Sequence, residues 1–158
     1  MTAPVVLRES RVVAAPVERA FDVLLPHPLT EIFGHRYAAI PPIREVRDQD
    51  GAWGSGVGQS RTIVLADGAT MREELTSLDR PRSFGYRITG VTGVMKVLVG
   101  SVEGLWSFEP AGTGVRIGWQ WTVHPASRAA SPAMPVFGLM WHGYARRALA
   151  RVDSLLVP

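Results

Sequence analysis

"GTGVRIGWQWTVHP" (residues 112–125) alternates residue by residue. Val115, Ile117, Trp119, Trp121 and Val123 fall on one parity, and Arg116, Gly118, Gln120, Thr122 and His124 on the other. Strict alternation marks a strand with one face in the core and one in water. Two tryptophans, Trp119 and Trp121, therefore stand next to each other on the buried face. Side chains that large on neighbouring inward positions either plug a solid core or wall a pocket.

The β pattern extends back from this strand to residue 43. Strands are predicted near Ile43–Asp48, Gln59–Leu65, Thr70–Leu78, Ser83–Thr89, Val99–Phe108 and Val115–His124, separated by "DGAWGSGVG", "ADGA", "DRPR", "TGVTG" and "EPAGTG". Short connections between consecutive strands imply an antiparallel, hairpin-linked sheet. "VVLRESRVVAA" (5–15) reads as a first strand. "APVERAFDVL" then changes period, with Val17, Ala20, Phe21 and Leu24 on one helical face and Pro16 at its entry. Pro26 and Pro28 end this helix, and "LTEIFG" (29–34) is a candidate second short one. After a looser "ASRAASP" a long helix is predicted from Met134 or Pro135. Its apolar stripe is Phe137, Trp141, Tyr144, Ala145, Ala148, Val152 and Leu155. Roughly 22 helical residues span about 33 Å, enough to cross a small sheet. The expected fold is α+β. A curved antiparallel sheet of six to seven strands wraps a long C-terminal helix, with one or two short helices after the first strand.

Composition narrows the function. The length of 158 residues suits one domain, taken as 1–158. With no cysteine, disulfides, thiolate nucleophiles and cysteine metal sites are excluded. The start lacks a basic segment followed by an apolar run, and "AMPVFGLMW" is far shorter than the ~20 residues that span a bilayer. A cytoplasmic protein without stable membrane insertion is expected, as a monomer or homodimer. Net charge is +3, and Lys96 is the only lysine. The arginines are scattered among acids, apart from Arg146, Arg147 and Arg151, so no nucleic-acid partner is expected. The glycines of "GAWGSGVGQ" (51–59) have strand pattern on both sides and read as a flexible hairpin connection, not a phosphate loop. His27, His35, His124 and His142 show no metal-ligand spacing, and neither metal nor cofactor is expected. No G-x-S-x-G motif exists.

Three stretches carry a family resemblance: "SRVVAAPVERAFDVL", "EELTSLDRPRSFGYRI" and "GTGVRIGWQWTV". They resemble the opening strand and helix, the central hairpin and the last strand of the START-like (SRPBCC) superfamily, which includes the polyketide cyclase/dehydrase and lipid-transport proteins. The likeness in element order runs over roughly residues 5–156. It implies a helix-grip fold with a cavity between sheet and C-terminal helix. It also implies that "GVTGVMKVLVG" (90–100), with Val91, Val94, Met95, Val97 and Leu98, borders the cavity entrance. The sequence departs from many relatives in "HPLTEIFGHRYAAIPP", which lacks a tryptophan-rich segment.

Candidate ligand-binding residues follow from parity. Phe84, Tyr86, Trp106, Trp119 and Trp121 alternate inward from the sheet, with Tyr86, Trp106 and Trp119 as a possible lateral row. Phe137, Trp141 and Tyr144 approach from the helix, and Met71 and Arg61 complete the ligand-binding candidates. Gly104 shares the inward parity and leaves a space or allows a bend. Glu73 shares parity with Met71 and Leu75, which turns it inward toward Arg61 or Tyr86; Leu78 argues for the opposite face, and the parity stays open. Binding of a hydrophobic or aromatic small molecule, lipid or polyketide-like, is the first functional expectation. A polyketide aromatase/cyclase or dehydratase with an acid–base pair from Glu73, Tyr86 and His142 is the second. A protein-interaction module docking through the apolar 91–98 loop is the third.

Overall fold

The computed structural model describes residues 2–158. Strand β1 (Val5–Val13) leads into helices α1 (Val17–Leu24) and α2 (Leu29–Ile32). Six strands follow: β2 (Ile43–Arg47), β3 (Ser60–Leu65), β4 (Thr70–Asp79), β5 (Ser83–Thr89), β6 (Val99–Ala111) and β7 (Gly114–Pro125). Helix α3 (Met134–Leu156) completes the chain. The sheet is antiparallel throughout in the order β1-β7-β6-β5-β4-β3-β2. The two short helices therefore carry the chain from one edge of the sheet to the other. Five hairpins then bring it back beside its first strand. The tightest hairpin joins Ala111 to Gly114 through Gly112 and Thr113. Its first loop position has φ +58°, which glycine adopts without strain.

The helices cover the inner face of the sheet. Ala20, Phe21 and Leu24 of α1 are buried, and the Phe21 ring meets Phe84 and Phe108 edge-on at 5.7 and 5.4 Å. Helix α3 runs along β1 and buries Phe137, Trp141, Ala145, Ala148 and Val152, as the stripe predicted; Tyr144 and Leu155 are half-buried and Leu149 joins the core. The segment before it is not loose: Arg128–Ala133 forms a 3₁₀ helix leading into α3. The loop expected at the entrance is likewise ordered, with a 3₁₀ turn at Val94–Val97. No helix among the described residues is long and apolar enough to cross a membrane.

The parity of β4 has a structural answer. Leu75 pairs with Tyr86 and Ser77 with Gly85, so Thr76 is an extra residue, a β-bulge. Before the bulge Met71, Glu73 and Leu75 face inward; after it Leu78, opposite Phe84, does so too. Both sequence signals point to the same face, because the strand shifts by one residue between them. Deleting Thr76 removes the bulge and keeps every inward residue inward. Deleting Glu74 makes Glu73 and Leu75 neighbours and turns one of them out. The Thr76 deletion is expected to fold with a small loss of thermal stability and the Glu74 deletion to unfold, as read by circular dichroism melts. Equal damage from both would contradict the register.

Candidate functional site

Strand register sets the wall of the site. Phe84, Trp106 and Trp119 face one another across β5, β6 and β7 and form one lateral row. The Trp106 and Trp119 rings stack at 4.9 Å with 9° between planes. Tyr86, Gly104 and Trp121 form the next row. The row expected from parity, Tyr86 with Trp106 and Trp119, is thus split between two. Gly104 does not leave an empty space: a Cβ there would fall inside the Tyr86 ring, which lies across the bare backbone of β6. The glycine gap lets Tyr86 reach β7. There its hydroxyl oxygen accepts the indole N–H of Trp119 at 2.9 Å and that of Trp121 at 2.8 Å. Burial, and then the charge of Glu73, push the Tyr86 phenol well above its ordinary range, against the downward pull of the two indole bonds. The side chain is neutral at physiological pH.

Inside this wall lies a cavity of about 120 Å³. One water needs only ~10–15 Å³ of such space. Trp119 and Trp121 therefore wall an opening and do not close a solid core. The cavity is also bordered by Phe84, Tyr86 and Trp106 of the sheet, Met71 of β4, and Phe137 and Tyr144 of α3. Burial likewise raises the Tyr144 phenol, and the Arg151 charge lowers it by less. Met95 reaches the cavity from the 3₁₀ turn, whereas Val94 and Val97 on the same turn are exposed.

One polar cluster interrupts the apolar lining. Arg61 and Glu73 sit opposite each other on β3 and β4, both buried, with Arg61 Nε donating to Glu73 Oε1 at 2.9 Å. The Arg61 guanidinium lies over the Trp53 ring, 3.8 Å from its centroid, and Nη1 donates to Gln49 Oε1 at 3.3 Å. Burial raises the proton affinity of Glu73 above the usual carboxylate range, and Arg61 offsets this only in part. Among the described residues no group of His, Asp or Glu side chains is arranged to hold a metal ion.

A family model described as polyketide cyclase / dehydrase and lipid transport matches residues 4–157. The chain belongs to this family. Solved structures share its helix-grip fold. Major latex-like protein 151 from Panax ginseng superposes with a TM-score of 0.74 at 12% identity, covering 99% of this chain and 100% of that one. Ara h 8.0201 gives 0.68 at 14% identity, over 98% and 99%. Ms6760 from Mycobacterium smegmatis gives 0.64 at 22% identity, over 96% and 90%. No match was found among curated proteins.

Within this polyketide cyclase/dehydrase and lipid-transport fold, ten of the expected site residues border one cavity: Arg61, Met71, Glu73, Phe84, Tyr86, Trp106, Trp119, Trp121, Phe137 and Tyr144. Two do not. Trp141 is fully buried behind the wall, 5.2 Å from Trp119 and 6.0 Å from Trp121 between ring centroids, and fills space between helix and sheet. His142, one residue further round the helix, faces the β1 seam, where its Nδ1 lies 2.7 Å from Glu9 Oε2. The acid–base pair expected to include His142 is therefore not assembled.

The sequence reading missed Trp53 and the apolar residues of α2 and its connector, such as Leu29, Ile32, Phe33 and Ile40. The 51–59 connection is held in place, not flexible. Gln59 Oε1 accepts from the amides of Gly54 and Ser55, and Nε2 donates to the carbonyls of Asp50 and Ala52. A single tryptophan in a glycine-rich loop was the available signal.

The buried pair generates two expectations. Replacing Glu73 by Leu strands the Arg61 charge and costs about 3–5 kcal/mol in urea denaturation, whereas Arg61→Met with Glu73→Leu restores most of it. An additive loss in the double variant would show that the pair is not coupled. The raised Glu73 pKa also sets a sign. Its protonated form is favoured by folding, so its contribution is present below the unfolded value near about 4.3 and is lost as pH rises through the folded value. The stability of the native protein relative to Glu73→Gln should fall from about pH 4 toward neutrality. A rise over that window would mean that Arg61 dominates.

Proposed function

We propose that the protein binds a hydrophobic or aromatic small molecule, lipid or polyketide-like, in the cavity between sheet and C-terminal helix. The observation that carries this reading is the 120 Å³ opening walled by aromatic rings. Apolar pockets with a few polar groups are the usual form of small-molecule sites. A ligand that buries on the order of 200 Å² of apolar surface gains about 5 kcal/mol before association costs, at ~25 cal/mol per Å². Family membership supports the same class of ligand.

A second reading, cyclase or dehydratase chemistry, draws on Glu73. A carboxyl whose proton affinity is raised by burial beside an apolar cavity suits a general acid. It would work beside the Tyr86 phenol, without His142.

Native mass spectrometry of the purified protein should show a co-purified hydrophobic mass. Dodecanoate or 1-naphthol should change the tryptophan fluorescence saturably, because four indoles border the cavity. Ile88 of β5 also borders the cavity, and Ile88→Phe, which adds ring volume there, should weaken both signals while the fold persists. A protein that carries no adduct and shows no saturable change with either compound would overturn the binding reading.

A further inference from the structure

The wall of the cavity contains a donor without a partner. A tyrosine hydroxyl offers one proton and two lone pairs, and an indole N–H is a donor only. Trp119 and Trp121 together occupy the acceptor capacity of the Tyr86 oxygen. Its proton has no protein acceptor within hydrogen-bond reach among the described residues, and the side chain is 94% buried while bordering the cavity. We propose that Tyr86 is the specificity-determining residue of the cavity. Held donor-only by the two indoles, it selects apolar ligands that carry a hydrogen-bond acceptor, a ketone or ester carbonyl above all. This inference rests on the proposed binding of hydrophobic molecules and adds which of them the cavity prefers.

The physical reason is asymmetric. An unmet buried donor is costly, so a ligand carbonyl placed on it recovers free energy that an apolar ligand of the same shape leaves unrecovered. A ligand donor such as an aromatic amine finds no acceptor at Tyr86, because both lone pairs are taken. Arg61 is the other donor at the cavity. Its Nε and Nη1 each donate once, to Glu73 and Gln49, and its face is stacked on Trp53. Three of its five N–H donors make no hydrogen bond to the described residues, so it is the competing donor that the Tyr86→Phe comparison separates from Tyr86. Tyr86 stays protonated because its burial outweighs the two indole bonds.

Acetophenone and α-methylstyrene differ in replacing C=O by C=CH₂ at nearly constant shape, and they serve as the probes. After correction for each compound's transfer from water to alkane, acetophenone should bind the native protein roughly 3- to 10-fold more tightly. Its carbonyl stretch in the complex should lie below the value in hexane. In Tyr86→Phe the ratio should fall to one and the stretch should return to the hexane value. That variant strands two indole N–H groups and is at risk of not folding. The native protein supplies an independent readout: the Tyr86 hydroxyl proton resonance should move on adding acetophenone and stay unmoved with α-methylstyrene. Equal binding of the two compounds, an unshifted carbonyl, an unmoved Tyr86 proton, or a shift that persists in Tyr86→Phe would each overturn the selection by Tyr86 and leave hydrophobic binding intact. If neither compound, nor dodecanoate, nor 1-naphthol binds, the binding reading itself fails.

Discussion

The Tyr86 hydroxyl, held by two indole N–H groups across the bare backbone at Gly104, is the constraint around which the interior is arranged. It fixes three large rings from two strands that are not neighbours. Tyr86 cannot fold into the space beneath it, since its tip is tied to β7. Trp119 and Trp121 cannot rotate inward without giving up a buried hydrogen bond. Polar atoms thus keep apolar rings apart. A wall of aromatics stays a wall because it is cross-braced, whereas unbraced rings of this size would close on one another.

The second polar feature works at the other side of the opening. Arg61 and Glu73 are buried on adjacent strands, with Trp53 beneath the guanidinium. Such a pair is rarely a net source of stability, since taking two charges out of water costs about as much as their attraction returns. Its presence in an otherwise apolar cavity is therefore a cost accepted for position or chemistry. Together the two features give the cavity a tyrosine hydroxyl held by the indoles of β7 and a carboxyl–guanidinium pair toward β3, with apolar walls between.

Much of this was legible in the sequence because it follows from period. Strict alternation in 112–125 placed both tryptophans inward, and the strands, the two short helices and the stripe of α3 follow from patterns of period 2 and 3.6. Period favoured Glu73 on the inner face but left its parity open. It failed where geometry departs from period. The bulge at Thr76 made Glu73 and Leu78 look contradictory when both face in. Helical spacing placed Trp141 and His142 near the site, but their neighbours across the interface put one behind the wall and the other on the β1 seam. Gly104 read as a gap, and only three-dimensional neighbours show whose ring fills it. Trp53 escaped because loops have no period, and its loop is shaped by the four bonds of one side chain, Gln59.

The central claim is that the braced rings enclose real space. Xenon enters apolar cavities without needing polar partners, so a crystal of the unliganded protein under xenon pressure tests it most directly. The account predicts a xenon peak bordered by Trp119, Trp121 and Tyr86, with both indole–hydroxyl bonds intact. An interior with no xenon, in which the Trp121, Phe137 and Met95 side chains meet across the opening, would contradict it.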